Sequence, residues 1–102
     1  MVQKMEINAG VAHVKTVENA LLVDVRNDFE YEKGHIPGSM NLALSRILKE
    51  AEEILPDKAQ PVFVYCQSGV RSARSAKLLE VMGYENVTDL GGIADWKGEI
   101  ER

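Results

Sequence analysis

With 102 residues the chain is long enough for one hydrophobic core and too short for two, so a single domain spanning residues 1–102 is expected. Hydrophobic residues at 45% and charged residues at 27% describe an ordinary globular composition, and the net charge of −4 argues against a nucleic-acid or anionic-membrane surface. The lone cysteine excludes an internal disulfide and a cysteine-rich zinc site, and any resolving thiol must come from another molecule. No apolar run approaches the roughly 20 residues that cross a bilayer, and Met1 to Glu6 lack the apolar stretch of a secretory signal. A reduced, cytoplasmic setting is therefore expected.

In chain order, residues 5–8 read as a short opening strand and Ala9 to Val17 as a weak helix. Ala20-Leu21-Leu22-Val23-Asp24-Val25 is a clear apolar strand, and its near-continuous hydrophobicity suits a strand covered on both faces of a parallel sheet. Asp28 can cap a helix from Phe29 to Lys33, which the loop Gly34-His35-Ile36-Pro37-Gly38 ends. Ser39 to Leu42 reads as a brief strand. Ser45 can cap a helix whose apolar stripe is Ile47, Leu48, Ala51, Ile54 and Leu55, and Pro56-Asp57 stops it. Val62 to Tyr65 is a β-prone run, and Ala76, Leu78 and Leu79 mark a helix that ends with a glycine C-cap near Met82-Gly83. Asn86 to Leu90 reads as the last strand, Gly91-Gly92 as a turn, and Ile93 to Ile100 as a final short helix with Trp96 toward the core. Alternating strands and helices of these lengths imply an α/β sandwich around a mostly parallel sheet, with helices on both faces.

The stretch from Val62 to Leu79 organises the rest. Cys66 sits at the end of a strand, and a turn of small residues carries the chain into a helix. Such a turn directs backbone N–H groups and the positive end of the helix dipole toward whatever lies beside the sulfur, and donors of that kind favour a sulfur anion. Four residues, Gln67, Ser68, Gly69 and Val70, separate Cys66 from Arg71. Gly69 can take a positive φ or allow close backbone approach. A cradle of this kind can hold an oxyanion under nucleophilic attack or stabilise a sulfur species carried on the cysteine itself.

Cys66-x-x-Gly69-x-Arg71-Ser72 resembles the active-site loop of the rhodanese-like sulfurtransferases. Leu22-Val23-Asp24-Val25-Arg26, with Glu30 and Gly34-His35-Ile36-Pro37-Gly38-Ser39-Met40-Asn41, resembles that family's upstream motif, and Leu90-Gly91-Gly92-Ile93 with Trp96 its C-terminal signature. The resemblance implies a rhodanese-like three-layer α/β sandwich. It also implies that Cys66 takes a sulfane sulfur from a donor such as thiosulfate and passes it, as a persulfide, to cyanide or a thiol. Small-molecule donors and acceptors, and a sulfur-relay protein, are the partners it implies, with no metal or organic cofactor required. Two other readings stay open. One is a small cysteine phosphatase or arsenate reductase; phosphatases of this fold place five residues between cysteine and arginine, and no general acid is evident here. The other is a non-catalytic rhodanese-like protein-binding module.

Individual residues divide between chemistry and structure. Cys66 is the expected nucleophile, and Gln67, Ser68, Gly69, Val70, Arg71 and Ser72 form the expected substrate cradle. A cation at a helix start is unfavourable unless an anion lies beside it, which favours a functional Arg71. Ser72 donates either to the sulfur or to the helix's first turn. Asp24 and Arg26 end the preceding strand, where α/β sheets place their sites, and are read as a supporting ion pair that holds the loops. His35 is read as a structural hydrogen-bonding residue, and His13 carries no motif. Arg74 either widens a positive rim or is simply solvated, and Glu50 to Glu53 form a solvated helix face.

Overall fold

The computed structural model describes residues 1–102 and places five parallel strands in one sheet. These are β1 (Gln3–Lys4), β2 (Leu21–Asp24), β3 (Met40–Asn41), β4 (Val62–Cys66) and β5 (Val87–Gly92), in the spatial order β1-β5-β4-β2-β3. Four helices connect them: α1 (Ile7–Val14), α2 (Asp28–Lys33), α3 (Leu44–Ile54) and α4 (Val70–Val81).

β4 is the central strand and is buried along its whole length. Its side chains alternate between faces, as a period of two requires. Val62, Val64 and Cys66 join Val23, Val25, Ile47, Ala51, Ala76 and Leu79 in a core beneath α3 and α4. Phe63 and Tyr65 join Leu22, Leu90, Ile7 and Val11 in a second core beneath α1. The sheet is therefore covered on both faces, and the α/β sandwich expected from the strand pattern is the observed architecture. Tyr65 is buried with its hydroxyl satisfied: it accepts the Ile36 N–H at 3.1 Å and pairs with Ser39 Oγ at 3.0 Å. Burial pushes its phenol well above the usual tyrosine range. That anchor seats the loop after α2 against the α1-side core.

Several boundaries differ from the sequence reading. The opening strand lies at Gln3–Lys4, not at 5–8, and the helix after it begins at Ile7, because Glu6 caps it by accepting the Ala9 N–H at 3.0 Å. Asn27, not Asp28, is the N-cap of α2, and Glu30 Oε1 accepts the Asn27 N–H at 3.0 Å, as the third residue of a capping box does. α3 starts at Leu44 after Ala43, with no side-chain cap, so Ser45 does not cap it. Leu48 is 72% exposed, because one step of 100° turns it off the buried stripe of Ile47 and Ala51. Gly91 and Gly92 extend β5 instead of forming a turn. Only one 3-10 turn, Ile93–Asp95, replaces the expected last helix. The chain then returns to pair with His35, the Glu101 N–H donating to the His35 carbonyl at 2.8 Å and the His35 N–H to the Glu101 carbonyl at 2.9 Å. Trp96 is half-buried against the α1-side core, its indole N–H donating to the Glu99 carbonyl at 2.8 Å. The end of α4 is as expected. The Tyr84 N–H bonds the Leu79 carbonyl and the Gly83 N–H the Glu80 carbonyl, both at 3.0 Å, which is the paired pattern of a Schellman motif.

Candidate active site around Cys66

All five strands run the same way, so the carboxyl ends of β2, β4 and β5 share one edge of the sheet, where α/β folds place their sites. Cys66 ends β4 on the α3/α4 side and is 1% exposed. The chain then turns through Gln67, Ser68 and Gly69 into α4. Gly69 has φ +103°, a conformation that favours glycine, and its N–H points back to Cys66 Sγ at 3.0 Å. The N–H groups of Gln67, Ser68, Val70, Arg71 and Ser72 have no intramolecular acceptor. Those of Val70 to Ser72 are the orphan donors that open every helix. The six residues after Cys66 thus carry one N–H bonded to its sulfur and five with no acceptor in the protein.

The opposite wall of the cradle is β5. Ser72 Oγ lies 3.1 Å from the Gly69 carbonyl and 3.3 Å from that of Gly91, so its proton closes the turn and joins it to β5. The Ala94 N–H donates to the Gln67 carbonyl at 3.1 Å. Gly92 passes so close that a Cβ there would lie 2.3 Å from the Gln67 carbonyl oxygen and 2.7 Å from Ser68 Cα. Only a glycine admits this approach of two backbones.

The near wall is built by two arginine–carboxylate pairs. Arg26 Nε and Nη2 both donate to Asp24, the latter at 2.8 Å, and Nη2 also donates to the Gly34 carbonyl at 2.7 Å. Its Nη1 faces Gln67 Oε1 at 3.4 Å. Asn41 Nδ2 donates to the carbonyls of Asp24 and Arg26 at 3.0 and 2.9 Å. Asp24 and Arg26 therefore tie β2, the loop after α2 and the cradle together. Arg71 is engaged by Glu30, with Nη1 to Oε1 at 2.6 Å and Nη2 to Oε2 at 3.0 Å. The Glu30 hydrogen bond holds Arg71 above its usual range, and Arg71 holds the Glu30 carboxyl below its own.

Residues 66–72 and the pair Asp24–Arg26 are brought to one edge. The other candidates are not. His35 stacks on Tyr31 with ring centroids 3.8 Å apart and bonds the Tyr31 carbonyl and Glu101. Arg74 is exposed and makes no ion pair. Glu30, Asn41 and Gly92 were not singled out as site residues from the sequence. An Asn-x-x-Glu capping pattern marks Glu30 as a first-turn residue, but nothing local shows that it faces a guanidinium 41 residues away. None of the cavities in the structure is lined by Cys66 or by residues 67–72, so the cradle stands without a deep pocket around it.

The family model described as a rhodanese-like domain matches residues 8–99. The chain is 43% identical to YqhL of Bacillus subtilis over 83 residues, 80% of this chain and 64% of that protein, so it spans less than two thirds of that relative's length. It is 34% identical over 73 residues to the thiosulfate sulfurtransferase PspE of Escherichia coli, covering 72% of this chain and 70% of PspE. Among solved structures, a rhodanese with anions from E. coli superposes with a TM-score of 0.75 at 30% identity, over 81% of this chain and 98% of that one. On fold, motif order and sequence alike, the chain belongs to the rhodanese-like domain family.

Proposed function

We propose that the protein is a sulfurtransferase in which residues 1–102 form one domain, working in a reduced cytoplasmic setting, and Cys66 carries the sulfur as a persulfide. The observation that carries this reading is the Gly69 N–H on Cys66 Sγ at 3.0 Å, in a loop whose five other N–H groups have no acceptor in the protein. In the first half-reaction the Cys66 thiolate attacks the outer sulfur of thiosulfate. A sulfur–sulfur bond forms, the bond to the sulfonate sulfur breaks, and its electron pair leaves on sulfite. The terminal sulfur then carries the negative charge, and donors already fixed in place stabilise it without reorganisation. In the second half-reaction cyanide or a thiolate attacks that sulfur and frees the Cys66 thiolate. A site with no pocket around it suits small donors and acceptors, or a sulfur presented on a relay protein.

Mixing the protein with thiosulfate and cyanide is expected to give thiocyanate and sulfite in equal amounts with ping-pong kinetics. Phosphate release from an aryl phosphate without thiocyanate would overturn the reading in favour of a phosphatase. Inertness toward both would favour a binding module.

A further inference from the structure

The charges around the cradle cancel. Arg26 is bound to Asp24, and both terminal nitrogens of Arg71 are bound to Glu30. Glu30 is itself well held: Oε1 accepts the Asn27 N–H at 3.0 Å as well as Arg71, and it lies in the first turn of α2, where a negative charge is favoured. The next cation along α4, Arg74, is exposed and unpaired. Within residues 66–72 and the pairs that wall them, the site therefore presents backbone dipoles and no unpaired guanidinium, while Arg74 lies one helical turn outside the loop. Dipoles of that kind suit one negative charge on a terminal sulfur. The second charge of a dianion such as thiosulfate meets no unpaired guanidinium among them, since Glu30 occupies both terminal nitrogens of Arg71.

We propose that Glu30 sets the charge of the sulfur donor: by occupying Arg71 it keeps the cradle neutral and favours monoanionic donors over dianionic ones of the same chemistry. This rests on the sulfurtransferase reading above. The two donors that isolate the charge are thiosulfate and methanethiosulfonate. In each, the Cys66 thiolate attacks the terminal sulfur, the new sulfur–sulfur bond forms, and the broken bond's electron pair leaves on sulfite or on methanesulfinate. The second donor carries one charge less, and no oxidant or reductant enters either step.

The test is the ratio of kcat/KM for thiosulfate over methanethiosulfonate, in wild type and in Glu30→Gln. Glutamine keeps an oxygen for the Asn27 N–H and removes the charge. The ratio is expected to rise roughly tenfold in the variant, as one unit charge at a partly screened site dictates. Adding Arg71→Gln to Glu30→Gln is expected to return the ratio to its wild-type value, since the gain runs through the freed guanidinium. A merely structural role for Glu30 lowers both donors alike and leaves the ratio flat, which overturns the proposal. A variant-free check is the wild-type ratio against ionic strength. A neutral site predicts little change, and a steep fall with added salt reveals a free cation and also overturns it. If neither donor places sulfur on wild-type Cys66, it is the sulfurtransferase reading that fails, and the Glu30 assignment falls with it.

Discussion

The Asp24–Arg26 and Glu30–Arg71 pairs share their chemistry and nearly their length, at 2.8 and 2.6 Å, yet they sit in different media. The side chains of the first are 0% and 6% exposed, those of the second 22% and 31%. In the first pair the partners are two residues apart and every group finds a further bond: Gly34 and Gln67 for Arg26, and the Arg26 N–H at 2.8 Å for Asp24. A buried pair is tolerated on those terms only, because an unpaired charge in that position costs several kcal/mol. In the second pair the partners come from different elements, and water reaches both. Such a pair adds little stability, because water screens it and two long side chains lose freedom in making it. The same chemistry serves as scaffold where it is buried and as a means of setting charge where it is not.

The largest expected effect comes from breaking the buried pair. Asp24→Asn leaves the Arg26 charge without its counter-ion at a site 5% exposed, and should lower unfolding free energy by about 3 kcal/mol or more. The urea midpoint measures it. A loss under about 1 kcal/mol would mean that the two pairs are energetically alike and the comparison fails. Gly92→Ala tests the wall that neither pair touches. Its Cβ would collide with the backbone of Gln67 and Ser68, so the cradle must shift. Sulfur transfer is expected to fall about a hundredfold, as misplacement of reacting groups by an ångström does, with the fold intact by circular dichroism. Unchanged transfer would show that the pairs alone position the loop.

The smallest effect sharpens the contrast. Glu30→Gln is expected to cost less than about 1 kcal/mol at neutral pH. Because Arg71 depresses the folded-state pKa of Glu30 below its unfolded value, that contribution is present above the usual glutamate range. It is lost as pH falls through the lower, folded value. Wild type and variant should therefore differ slightly near neutrality and converge in acid. Divergence that grows on acidification would reverse the sign and contradict the pairing.

What was legible in the sequence follows from how far each signal reaches along the chain. The apolar run that opens Val62–Cys66 and the near-continuous hydrophobicity around Leu21–Asp24 each signal a strand buried on both faces, so the two-faced sheet could be read directly. The position of Cys66 at a strand end, and the glycine that ends α4, are equally local. Element ends were harder, because Glu6, Asn27 and Asp28 all present cap-like side chains and only packing decides among them. The last segment misled because its apolar spacing allows a helix, while the pairing of Glu101 with His35 requires extended chain. Glu30 on Arg71 and Gly92 against Gln67 join residues far apart in sequence, and no local pattern encodes such contacts.

The central claim, that Cys66 is the sulfur carrier, is tested most directly by intact mass. Wild-type protein and Cys66→Ser are each exposed to thiosulfate, freed of small molecules and weighed. The expected result is a gain of one sulfur atom in the wild type, reversed by cyanide and absent in the variant, with sulfite released in step. No gain in either protein, or the same gain in both, would contradict it.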